Sequence, residues 1–86
     1  MDRLECMKSF TQAVETGSFS AVARELETTQ PTISKQIAAL EDYLDVQLLI
    51  RSTRSLSLTD EGTRFYEYCQ QLLESFAEAE ASVGKR

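Results

Sequence analysis

There is no histidine among the 86 residues of this sequence. Zinc-finger spacings of cysteine and histidine are therefore excluded. The two cysteines, Cys6 and Cys69, stand far apart and form no CxxC pair. Both fall on apolar helix faces, where a cysteine behaves as a small core residue, and a reducing cytoplasm is the compartment expected. The three glycines form no phosphate-cradling run. Without histidine, a metal-ligand cluster or a Gly-rich loop, no catalytic constellation can be assembled, so neither an enzyme nor a bound cofactor or metal is expected. No apolar run approaches the length of a membrane span, and no basic-then-apolar start marks a secretion signal. Basic residues are scarce too. Nine Lys and Arg face fourteen Asp and Glu, for a net charge of −5, which at first argues against a nucleic-acid partner.

What is present describes one small folded domain. Hydrophobic residues make up 42% of the chain and charged residues 27%, a balance that favours a packed core over disorder. The charge is unevenly placed. Residues 59–83 hold Asp60, Glu61, Glu67, Glu74, Glu78 and Glu80 against Arg64 alone, while residues 46–58 hold Arg51 and Arg54 and no acid. Screening over roughly 8–10 Å at physiological salt lets the acidic and basic regions act semi-independently.

Hydrophobic spacing divides the chain. Asp2 followed by Glu5 is similar to a capping box, and Leu4, Met7, Phe10 and Val14 recur at three and four, predicting a helix over 3–16. Thr16-Gly17 stops it. Ser18 caps a second helix whose apolar face is Phe19, Val22, Ala23 and Leu26, with Glu27-Thr28 as the turn that follows. Thr29 caps a third helix, which tolerates Pro31 in its first turn and carries Ile33, Ile37, Leu40 and Leu44. The period then changes. Leu48 and Ile50, then Leu56 and Leu58, alternate around Ser52-Thr53-Arg54-Ser55, predicting a short two-stranded hairpin. Its turn has no Gly, Asn or Asp, so a tight two-residue turn is not expected. Thr59 caps a last helix running to about Val83, with Asp60 and Glu61 at its positive end. Along it Phe65, Cys69, Leu72, Phe76, Ala79 and Val83 form a heptad seam, flanked by Tyr66, Leu73 and Ala77. So long an apolar face exceeds what a small monomer can cover, and a second copy is the simplest partner.

The fold class read from this order is mainly α: a winged helix-turn-helix of three helices and a β-hairpin over 1–58, then a long dimerisation helix over 59–86. Residues 18–40 suit a helix that enters the DNA major groove and reads base edges with its first residues. The stretches GSFSAVARELETTQPTISKQIAALEDYL (Gly17 to Leu44), LLIR (Leu48 to Arg51) and SLTDEG (Ser57 to Gly62) resemble the N-terminal DNA-binding region of LysR-type transcriptional regulators. The similarity covers essentially the whole chain.

The resemblance implies that residues Thr29 to Lys35 face the major groove, that Arg54 at the wing tip reaches the minor groove, and that the long helix pairs antiparallel with its copy. It also implies an effector-binding domain after that helix. The sequence ends at Gly84-Lys85-Arg86 without one, so a small-molecule effector is expected only through a domain outside these residues. The family pattern is broken in places. Lys35 stands where arginine is usual, Leu49 where phenylalanine is frequent. Glu27 and Asp45 occupy positions often held by residues that tolerate left-handed backbone, which would cost each about 1 kcal/mol.

The candidate DNA contacts are Thr29, Gln30, Pro31, Thr32, Ser34, Lys35, Arg51 and Arg54. Thr29 serves first as a cap. Gln30 has an amide suited to adenine, and Pro31 and Thr32 offer apolar atoms to a thymine methyl. Ser34 and Lys35 point outward because Ile33 and Ile37 point in. Arg51 has two readings, a phosphate contact or a pair with Glu41 that holds the wing to the third helix. The candidate dimer contacts are Phe65, Cys69, Leu72, Phe76, Ala79 and Val83. The competing function is a winged-helix module that docks a protein and not DNA, supported by the acidic last helix and the net charge.

Overall fold

The computed structural model describes residues 2–52 and 55–84. Helix α1 (Arg3–Thr16) is followed by α2 (Phe19–Glu25), α3 (Gln30–Leu44), strands β1 (Leu49–Arg51) and β2 (Leu56–Leu58), and the long helix α4 (Asp60–Ser82). The order and type of every element agree with the spacing of apolar residues.

Each helix begins on a side chain that accepts an otherwise unpaired amide. Asp2 accepts from the N–H of Leu4, Ser18 from Ala21, Thr29 from Thr32 and Thr59 from Gly62. The ends are built just as locally. Gly17, at φ 70°, closes α1 by donating to the Ala13 carbonyl. Glu27 and Asp45, at φ 55° and 57°, are left-handed without being glycine. At the first, Thr28 N–H reaches back to Ala23 and Glu27 N–H to Arg24. At the second, Val46 N–H reaches Glu41 and Asp45 N–H reaches Asp42. Both are Schellman closures, and the carbonyls they satisfy offset the strain of the side-chain-bearing residue.

Helix α1 packs against α2, α3 and α4. Its burial is accordingly wider than one stripe. Cys6, Met7, Phe10 and Ala13 are buried with Ser9 and Thr11 beside them, while Leu4 and Val14, expected at the centre of the face, are only half-buried. Phe10 lies at the centre of the core and meets the rings of Phe65 at 5.8 Å and Tyr66 at 6.4 Å. The tilted and edge-on geometries are the ones ring quadrupoles favour. Phe19, Val22, Ala23, Ile33, Ile37, Leu40, Leu48, Leu49 and Cys69 complete the core. The Ser9 hydroxyl donates to Gln36, tying α1 to α3. Tyr66 donates to Glu15 at 3.0 Å, tying α4 to α1. Partial burial and this bond to a carboxylate raise the Tyr66 pKa. Burial raises Cys6 and pushes Cys69 up to about 11, so both thiols stay protonated and inert.

The hairpin corrects the alternation read from the sequence. Leu49 pairs with Leu58, Ile50 with Ser57 and Arg51 with Leu56. Leu48 and Leu49 are both buried and Ile50 is 50% exposed, because Leu48 precedes the strand and the inward set begins at Leu49. Arg51 therefore shares the inward face with Leu49, Leu56 and Leu58. Ser52 N–H donates to the Ser55 carbonyl at 3.0 Å. The tip itself, Thr53-Arg54, where no tight turn was expected, lies outside the described residues.

The junction of hairpin and α4 is close. A Cβ on Gly62 would stand 2.0 Å from the Leu48 carbonyl oxygen. Gly62→Ala is expected to destabilise the fold by about 1–3 kcal/mol, because backbone would have to move. Asp45→Gly should do the reverse and stabilise by about 1 kcal/mol, by removing left-handed strain from an exposed cap. Urea unfolding of the two variants beside the parent checks both signs.

Candidate nucleic-acid interface

The front of α3 is presented by its cap. The Thr29 hydroxyl accepts from Thr32 N–H at 3.3 Å and is 2.9 Å from the Thr32 hydroxyl. That pair orders the first turn, where Gln30 and Pro31 are exposed with Thr29. Ser34 is half-buried at the edge of the stripe of Ile33 and Ile37, and Lys35 is exposed on the side opposite them. Six of the candidate contacts thus lie within the cap and the first two turns of α3. The Thr32 hydroxyl is tied to Thr29, which leaves its methyl as the group more available outward.

Arg51 arrives at this surface from the hairpin. Its Nη1 donates to Ser34 Oγ at 3.0 Å, and its guanidinium lies over the Phe19 ring at 4.8 Å. The sequence left open a pair between Arg51 and Glu41. The structure does not make it. Glu41 Oε2 instead accepts the N–H groups of Leu48 at 2.7 Å and Leu49 at 3.1 Å. Glu41 faces the start of β1, whereas Arg51 sits at its far end, beside the second turn of α3. Arg54 lies outside the described residues.

A groove of about 260 Å³ runs between these parts, lined by Gly17, Ser18, Phe19, Gln30, Arg51 and Ser52. It brings together the start of α2, the start of α3 and the base of the wing. Phe19 is the residue sequence reasoning missed here. Its spacing marks it only as part of the apolar face of α2, yet its ring also carries Arg51. The signal available was an aromatic residue at the first helical position, next to the α1–α2 turn.

The charge is separated as well. Glu41, Asp42 and Asp45 line a surface at the other end of α3, about 20 Å from Gln30 at 1.5 Å per residue. The acids of α4 run along a helix that extends the molecule to 43 Å in its longest dimension. The front of α3 at Gln30 thus stands beyond a Debye length from Asp42 and Asp45.

The proposed seam on α4 divides in two. Cys69 is fully buried in the protomer's own core, and Phe65 packs on that core through Phe10. Leu72 at 52%, Phe76 at 43% and Val83 at 86% remain exposed, as does Ala79. The heptad is continuous in sequence, but its first turns are used inside the protomer. Among the described residues no helix is long and apolar enough to cross a membrane.

Residues 4–63 match the family model for the bacterial regulatory helix-turn-helix protein, lysR family. The HTH-type transcriptional activator AaeR of Escherichia coli (strain K12) is 47% identical over 73 residues, covering 85% of this chain and 24% of that protein. An HTH-type transcriptional repressor of Pseudomonas aeruginosa (strain UCBPP-PA14) is 40% identical over 83 residues, covering 96% of this chain and 26% of that protein. The chain thus spans only a minor part of the length of these curated relatives. Among solved structures, the BenM DNA-binding domain in complex with catB site 1 DNA is similar with a TM-score of 0.90 at 36% identity, covering 96% of this chain and 92% of that one. The CbnR DNA-binding domain in complex with DNA is similar with a TM-score of 0.88 at 35% identity, covering 96% of this chain and 94% of that one. The helix-turn-helix of α2 and α3, the wing and the long helix lie within these matches, and the chain belongs to the lysR family of bacterial regulatory helix-turn-helix proteins.

Proposed function

We propose that this chain is a sequence-specific double-stranded DNA-binding module of a transcription regulator, with α3 in the major groove and the wing at the adjacent minor groove. The observation that carries the reading is the exposed polar front of α3, Thr29 to Lys35, joined by Arg51 from the hairpin. Relatives that share this architecture over 96% of the chain were solved bound to DNA. Gln30 and Ser34 read base edges, Pro31 and Thr32 offer apolar atoms, Lys35 supplies charge, and Arg54 reaches the minor groove from the wing tip.

The module acts as a homodimer through α4. Leu72, Phe76, Ala79 and Val83 are the part of the seam left for a second copy. Two copies present two recognition helices, so the site is an interrupted palindrome with half-sites about one helical turn apart or a multiple of it. The relatives include one named an activator and one named a repressor; an effector acts through a domain outside these residues, and a cytoplasmic location accords with both.

Leu72→Glu is expected to convert the dimer to monomer, because a charge would be buried unpaired at the seam. Sedimentation at micromolar concentration checks it, and a monomeric parent would refute the dimer. Gln30→Ala should change the preferred base at one position per half-site, costing about 1–3 kcal/mol there. An unchanged preference would displace α3 from the groove. Lys35, Arg51 and Arg54 in two copies neutralise on the order of four to six phosphates, giving a log–log salt slope of roughly −4 to −5. Titration of a palindromic duplex from low to physiological salt measures it. A slope near zero would favour docking to a protein.

A further inference from the structure

Ser34 and Arg51 come from different elements, and each changes what the other can do. A serine hydroxyl has one donor and two acceptor lone pairs. Arg51 Nη1 occupies one lone pair of Ser34 Oγ at 3.0 Å. No other hydrogen bond involves Ser34, so its own proton has no acceptor among the described residues. A donor bound to the oxygen polarises the O–H bond and strengthens donation from it. The guanidinium beside it attracts electron-rich edges and repels amino groups. Its planar fork keeps further N–H donors free beyond the one spent on Ser34. The Phe19 ring at 4.8 Å holds the guanidinium in place from behind.

We propose that Ser34 and Arg51 form one reading unit for guanine, in which the Ser34 hydroxyl and an Arg51 N–H each donate to one of two adjacent acceptors on the base edge. In the major groove guanine presents N7 and O6, both acceptors. Adenine sets an amino donor beside N7, thymine sets a methyl beside O4, and cytosine offers an amino donor. Only guanine gives both donors a partner. Arg51 is then more than a phosphate contact, and Phe19 is a positioning residue for it. This assignment rests on the reading of the α3 surface as the DNA-contacting face.

Selection of bound duplexes from a random pool tests it, using the parent chain, Ser34→Ala and Arg51→Met. Helical content by circular dichroism is recorded for each. Enrichment of a palindromic motif by the parent comes first; a parent that enriches nothing overturns the DNA reading itself, before any variant is compared. Ser34→Ala then identifies the position its hydroxyl reads. The parent should carry guanine at that position, and the variant should lose the preference there by about tenfold while the position set by Gln30 is unchanged. Arg51→Met should relax the same position. If Arg51→Met fails to fold, Ser34→Ala still decides, since it removes one oxygen from a half-buried helical site. The proposal is overturned if Ser34→Ala relaxes no position, or if the parent prefers another base there. It is overturned equally if a folded Arg51→Met weakens all sequences alike and flattens the salt slope by about two charges per dimer, one from each copy, the signature of a phosphate contact.

Discussion

The carboxylate of Glu41 sets where the wing can be. It takes the amide protons of Leu48 and Leu49 and so joins the last turns of α3 to the first residue of β1. The carbonyl of Leu48 then accepts Thr59 N–H at 3.0 Å, and the Thr59 hydroxyl accepts from Gly62 and donates to the Gln47 carbonyl at 2.6 Å. Helix α3, the hairpin and α4 are thereby referenced to one another through a few atoms around Leu48. Two part-buried amides without the carboxylate would lose about 1–3 kcal/mol each. The close packing at Gly62 belongs to the same junction, since a side chain there would push α4 off the carbonyl it is built around. The position of Arg51 over Phe19 and Ser34, three residues along β1, is a consequence of this anchoring.

Glu41 also bears on where the acid of this protein stands relative to the front of α3. Glu41 is engaged in holding backbone amides, and it stands with Asp42 and the cap Asp45 at the end of the helix away from Gln30. A total charge of −5 is then a poor guide to the field at the front of α3, where Lys35 and Arg51 stand with Glu27 of the preceding turn. Distribution over the fold decides more than the sum when the screening length is about 8–10 Å.

The helices were legible because their signals are local. Asp2, Ser18, Thr29 and Thr59 are caps in the sequence and caps in the structure. Glu27 and Asp45 were marked as positions where the chain turns left-handed, and both do. What misled was periodicity that serves two purposes. Phe65 and Cys69 continue the stripe of Leu72 and Phe76, yet Cys69 is enclosed by the protomer's core while Leu72 and Phe76 are exposed. A heptad records that a face is apolar and not which neighbour covers it. The hairpin was placed correctly, but its alternation was read one residue off, because Leu48 is buried as part of the junction and not of the strand. That one-residue shift moves Arg51 to the inward face. Its contacts with Ser34 and Phe19 depend on this register and on the α2–α3 geometry, so no spacing rule in the sequence could supply them.

The division of the α4 stripe has an energetic consequence for the proposed dimer. The residues left to a partner are four, and Glu74, Glu78 and Glu80 lie on the same stretch of helix. Two copies of a helix this acidic carry like net charge into one assembly, so long-range repulsion opposes the proposed association at low salt and is screened as salt rises. Contacts to DNA phosphates respond in the opposite sense, weakening as salt rises. At protein concentrations where monomer and dimer coexist the two dependences partly cancel, and the apparent slope is shallower than the phosphate count implies. At concentrations that saturate the dimer the cancellation disappears and the full slope emerges. On the proposed assembly, the acidic helix, which by composition alone argues against DNA, acts mainly on dimer formation, and its effect on binding is carried through the number of dimers available to bind.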